Sequence, residues 1–155
     1  MRKYLYLVVF VALLALAILS GCGKRPGQYG NFAEADSVEL VQDAMSALQA
    51  NYPPAKTRLA LVQDTEDAFG ASLVETLRAN GYAVAEYAGP ARSDKYQPVV
   101  QKPNGLPFAY LLDSKGDELR MSLHVGADTL SRLYRVQRSD DTLHYIPQGF
   151  WTRKQ

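Results

Sequence analysis

The residue with the most definite chemistry is Cys22, the only cysteine in a chain of 155 residues. It closes the string Leu19-Ser20-Gly21-Cys22, which follows an apolar run beginning at Tyr4 and a basic start, Met1-Arg2-Lys3. A basic start, a short apolar core and small residues before a cut mark a secretory signal, and the run is short for a spanning helix. The ending has the form of a bacterial lipobox. Small Ser20 and Gly21 suit a peptidase cleft, with cleavage between Gly21 and Cys22. The Cys22 thiol would take a diacylglyceryl group, and the amine freed by cleavage a third acyl chain. Each buried CH₂ contributes about 0.8 kcal/mol, so one chain holds a protein marginally and two or three hold it durably. The competing readings are an ordinary signal peptide with an incidental cysteine, or an N-terminal membrane anchor. Gly23 stands where an aspartate would favour retention at the inner membrane, so the expected location is the outer membrane, with the domain facing the periplasm.

The remaining candidates for chemistry are few. With Cys22 consumed by lipid, no disulfide and no Cys/His zinc site of the usual kinds is expected, since only His124 and His144 supply imidazoles. Ser122 shares a strand face with His124, but no Gly-x-Ser-x-Gly elbow surrounds it. Asp64, Glu66 and Asp67 form a carboxylate cluster, and Asp140-Asp141 a second. Helix-cap and turn roles explain both more simply than a cation site. The loop 63–67 has three acids and no glycine, which repels phosphate rather than cradling it. The chain has 17 basic and 16 acidic residues, and loss of Arg2 and Lys3 with the signal leaves one more acid than base. Such a balance has no electrostatic footprint for nucleic acid. No catalytic residue, metal, small-molecule substrate or cofactor beyond the acyl chains on Cys22 is expected.

Aromatic residues are the other signal. Ten tyrosines are many for this length, and suit half-exposed strands or a protein interface. Tyr29, Phe32, Tyr96, Phe150 and Trp151 are the candidate partner-binding residues. For Tyr29 and Phe32, and for Phe150-Trp151, the alternative is packing on the chain's own core. Arg92, Lys95 and Lys102 join Tyr96 in a stretch, 88–107, that holds four of the eight prolines. That stretch reads as a contact loop or as a solvated one, with Val99-Val100 as a short edge strand.

These residues must be positioned by a modest set of elements. Residues 1–21 are read as the signal, 22–35 as a lipidated, mobile tether, and 36–155 as one periplasmic domain. A helix is expected over 36–51, with Asp36 and Glu39 as a capping box and Val38, Val41, Met45 and Leu48 on its apolar face. Tyr52-Pro53-Pro54 ends it. A strand over 57–63, a helix over 64–80 and a strand over 82–87 form a βαβ unit. Phe69, Leu73 and Leu77 repeat along one face of that helix, Gly81 stops it, and Gly70 lets it approach the sheet. Strands over 108–113, 118–125, 129–137 and 142–146 then make an antiparallel meander. Leu119, Met121, Leu123 and Val125 alternate with Arg120, Ser122 and His124. A helical turn near Ser131 is an alternative within the third of these. Pro147-Gln148-Gly149 would lead into a polar end. The fold class is α+β, a small mixed sheet with two helices packed on one face.

The stretches Tyr29-Gly30-Asn31-Phe32, Tyr52-Pro53-Pro54-Ala55-Lys56-Thr57, Asp67-Ala68-Phe69-Gly70 and Leu77-Arg78-Ala79-Asn80-Gly81-Tyr82-Ala83-Val84 resemble the TrbH family of conjugal transfer lipoproteins. The resemblance runs from the lipobox to the end of the chain. It implies a structural component of a conjugative type IV secretion, or mating-pair formation, apparatus, anchoring or stabilising channel subunits at the outer membrane. The partners it implies are other conjugal transfer channel subunits. The family brings no catalytic residues, and only Cys22 carries over, as the lipid attachment point. The same pattern is also similar to periplasmic lipoproteins that regulate peptidoglycan synthases or act in flagellar assembly. A membrane-anchored hydrolase is the alternative of a different class.

Overall fold

The computed structural model describes residues 27–29, 37–87, 104–139 and 142–155. Among the described residues, seven strands and two α-helices follow in the order β1 (Gly27–Tyr29), α1 (Ser37–Asn51), β2 (Arg58–Leu61), α2 (Ala68–Ala79), β3 (Ala83–Ala85), β4 (Leu106–Lys115), β5 (Glu118–Val125), β6 (Asp128–Ser139) and β7 (Thr142–Lys154). A 3₁₀ turn, Pro54–Lys56, links α1 to β2. These seven strands form one mixed sheet, six of them in the order β3-β2-β4-β5-β6-β7, with β1 paired to β4 off that path. The pairings β2 with β3, β2 with β4 and β1 with β4 are parallel, and those from β4 to β7 are antiparallel. This is the α+β class expected: a βαβ unit of β2, α2 and β3, then a meander of β4 to β7.

Alternation places Phe108, Tyr110, Leu112, Leu119, Met121, Leu123, Val125, Leu130 and Tyr134 on one face, where they are buried with the apolar sides of both helices. The stripe on α1 is Leu40, Val41, Ala44, Met45, Ala47 and Leu48. Val38, expected on that stripe, is 55 % exposed. On α2, Phe69, Leu73 and Leu77 are buried as expected. Gly70 is there for contact: a Cβ at this position would lie 2.0 Å from the Tyr110 hydroxyl. The helix ends in a Schellman motif, with Tyr82 N–H donating to Leu77 O and Gly81 N–H to Arg78 O, and Gly81 at φ +83°.

Four expectations need correction. First, α2 starts at Ala68, not at 64. Of the acids before it only Asp67 caps it, accepting from Gly70 N at 2.8 Å. Second, β1 lies inside the stretch expected to be a mobile tether, yet it pairs with Leu111–Asp113 of β4. It continues the edge that β2 occupies beside Leu106–Phe108, and the Gln63 side chain fills the step between them by accepting from Tyr110 N at 3.0 Å. Third, Leu106 and Pro107 open β4 rather than close a loop. The rest of the 88–107 expectation, Val99-Val100 included, falls mostly on residues outside those described, as do Asp36 and Asp140-Asp141. Fourth, β7 does not stop at 146. It runs on to Lys154, through an irregularity at Gly149. No helical turn interrupts β6 near Ser131.

Candidate partner interface

The helix-covered face is closed by tyrosine–carboxylate pairs. Tyr110 of β4 donates to Asp67 at the start of α2, Tyr134 of β6 donates to Asp43 of α1, and Tyr52 after α1 donates to Asp128 of β6. Tyr82 donates to Tyr52 O at 2.7 Å. Burial, reinforced by the neighbouring carboxylate, pushes the Tyr110 and Tyr134 hydroxyls well above the ordinary tyrosine range, and Tyr52 up to about 12. The Tyr52 hydroxyl, and then Arg153 at 2.6 Å, hold Asp128 below its ordinary value. Several of the ten tyrosines are thus fasteners between layers, a use that composition alone does not separate from an interface.

Around β6 and β7 the molecule offers two surfaces. On the helix side, Val38, Glu39, Gln42, Asp43, Tyr134 and Pro147 border an open groove of about 450 Å³. Glu39, expected in a capping box with Asp36, which lies outside the described residues, is in contact with β7. Its carboxylate accepts from Tyr145 N at 3.3 Å and lies 3.8 Å from His144 Nδ1, covering part of the β7 edge. Arg132 closes the floor, donating to both Asp43 oxygens at 2.8 and 2.9 Å. Its Nε donates to Gly149 O at 3.1 Å, so one guanidinium joins α1, β6 and β7.

That last contact sits at a bulge. Ser131 pairs with Thr152, but Leu133 pairs with Gln148, so Arg132 alone faces Gly149, Phe150 and Trp151. Gly149 takes φ +76°. Because two residues are inserted, the alternation survives. Trp151 returns to the helix-covered side, where it packs against the core with its Nε1 buried and without a hydrogen-bond partner among the described residues. Phe150 is left 92 % exposed. Leu133 and Ile146, on the open face beside it, are 49 % and 42 % exposed.

The remaining candidates separate. Ser122 and His124 do share the open face, but each bonds across to β6: Ser122 Oγ to Ser131 Oγ at 3.0 Å, and His124 Nδ1 to Thr129 Oγ1 at 3.1 Å. Tyr29 belongs to β1. Gly21, Cys22, Phe32 and Tyr96 lie outside the described residues, together with Arg92, Lys95 and Lys102. Among the described residues no group of three or more His, Cys, Asp or Glu side chains is placed to hold a metal, and no helix is long and apolar enough to cross a membrane. Arg132 is the residue that sequence reasoning missed. Its partner Asp43 is 89 positions away, and an arginine within an alternating strand carries no signal of its own.

A family model described as conjugal transfer protein TrbH matches residues 26–155. No curated protein and no solved structure matches the chain.

Proposed function

Because the chain belongs to the TrbH family of conjugal transfer proteins, we propose that it is a lipid-anchored structural component of the conjugative secretion apparatus. The acyl chains on Cys22 hold it at the inner leaflet of the outer membrane. The residues after Cys22 set its reach, and the α+β domain docks on a channel subunit and stabilises it there. Confinement at the membrane raises the effective concentration of domain and partner, which strengthens a modest interface without any new contact.

The observation that supports this reading is an adjacency. The family-matched region begins at residue 26, just beyond Leu19-Ser20-Gly21-Cys22, the string that reads as a lipobox. The test is Cys22→Ser in donor cells carrying the whole transfer locus. Acyl labelling should disappear, the protein should leave the outer-membrane fraction, and DNA transfer should fall while the domain keeps its circular dichroism spectrum. Unchanged transfer from the unlipidated protein would remove the anchoring argument.

A further inference from the structure

The docking reading leaves open which face meets the partner and what that partner presents. We infer that the partner is a protein surface with an apolar pocket rimmed by carboxylates, and that Phe150 on the open face of β6 and β7 is the side chain that enters it. The inference rests on the docking reading and names its site.

Three observations carry it. A phenylalanine at 92 % exposure gains nothing from the chain's own core. It is nevertheless not on a loose tail, because β7 resumes its pairing with β6 at Thr152–Lys154 on one side and at Gln148 on the other. The bulge that carries it is held from beneath by Arg132, which donates to Gly149 O and is itself locked on Asp43. An aromatic anchor on a fixed backbone loses little freedom on binding, which favours a shaped pocket over a fluid lipid surface.

Charge indicates what surrounds the pocket. Strands β6 and β7 carry Arg132, Arg135, Arg138, Arg153 and Lys154 against Asp128 among their described residues. Arg132 and Arg153 are spent on Asp43 and Asp128. Arg135 and Lys154 lie by alternation on the same face as Leu133, Ile146 and Phe150, and form no ion pair among the described residues. Glu118 is the cross-strand neighbour of Arg135 and tempers that end of the patch. The excess remains basic, and a basic rim around an apolar anchor is complementary to carboxylates around a pocket.

The experiment replaces Phe150 by photoreactive benzoylphenylalanine in the full-length protein, in donor cells carrying the whole locus. The expected result is an adduct with an apparatus protein whose cross-linked peptide contains apolar residues next to Asp or Glu. Its yield should fall fivefold or more in the Arg135→Glu, Lys154→Glu double variant. Adducts confined to lipid, or to a second copy of this chain, or to a peptide without acidic residues, would overturn the inference, as would no adduct or an unchanged yield in the double variant. Deleting the gene separates this from the parent reading. Wild-type transfer in the deletion strain defeats both. Lost transfer in the deletion strain with wild-type transfer in Phe150→Ala defeats only the choice of face.

Discussion

The two faces of the central strands use opposite means. On the helix-covered face, long side chains tie layers together: Tyr110 to Asp67, Tyr134 to Asp43, and Phe69 against Tyr110 edge-on with ring centres 5.2 Å apart. On the open face, short polar pairs span neighbouring strands, Ser122 with Ser131 and His124 with Thr129, and the largest apolar group is left in solvent. Cross-strand pairs of this kind contribute a few tenths of a kcal/mol to about 1 kcal/mol each, whereas a buried apolar side chain or a half-buried carboxylate bonded to a buried hydroxyl contributes more. Stability is concentrated on the helix-covered face, and the β6–β7 end of the other, where Leu133, Ile146 and Phe150 are exposed, is free to serve contact. Substitutions on the two faces should therefore divide between unfolding and loss of transfer, except at Asp43, whose partner Arg132 also holds the bulge under Phe150.

The largest effect belongs to Gly70. Alanine gains about 1 kcal/mol in helix propensity, but its Cβ would meet the Tyr110 hydroxyl, which is buried and held by Asp67. Gly70→Ala should lose about 2–4 kcal/mol in urea unfolding through overpacking and a broken hydrogen bond. Adding Tyr110→Phe should recover part of that loss, since it removes the atom in conflict.

Next comes Asp43→Ala, which strands the Arg132 guanidinium and the Tyr134 hydroxyl together. A cost of about 2–3 kcal/mol is expected in the same assay. It also sharpens the comparison, because Arg132 links the stable face to the bulge under Phe150. Asp43→Ala should lower DNA transfer further than its loss of folded protein accounts for.

A smaller effect is the pH response of the Tyr52–Asp128–Arg153 group. The Asp128 value is lowered in the folded state, so its contribution is present above the ordinary carboxylate range and is lost as pH falls through the lowered value. The Tyr52 value is raised to about 12, so its contribution is complete below about pH 10 and is lost as pH rises through the raised value. Thermal melts across pH should show both declines, and Asp128→Asn should flatten the acid one.

Much of the stable face was legible in the sequence. The alternation from Glu118 to Val125, the Phe69-Leu73-Leu77 repeat, the stop at Gly81 and the small residue at 70 are local patterns, and each has one physical solution. The contact face was harder to read. Pro147 and Gly149 resemble a turn, yet a two-residue bulge lets the strand continue past them to Lys154. The three acids before α2 are equivalent as candidate caps until geometry selects Asp67. Gly27-Gln28-Tyr29 has no periodicity, and becomes a strand because β4 has an edge left vacant beyond β2. Phe150 was identifiable as an aromatic of interest, but its separation from Trp151, one exposed and one packed inward, depends on pairing with Ser131 and Leu133.

The most direct test of this division is Phe150→Ala, with melting temperature and DNA transfer measured on the same variant. The side chain is outside the core, so unfolding free energy should stay within about 0.5 kcal/mol of the parent, while transfer should drop about tenfold or more, as for the loss of an interface anchor. Unchanged transfer, or a melting temperature that falls in step with transfer, would contradict the assignment of stability to one face and contact to the other.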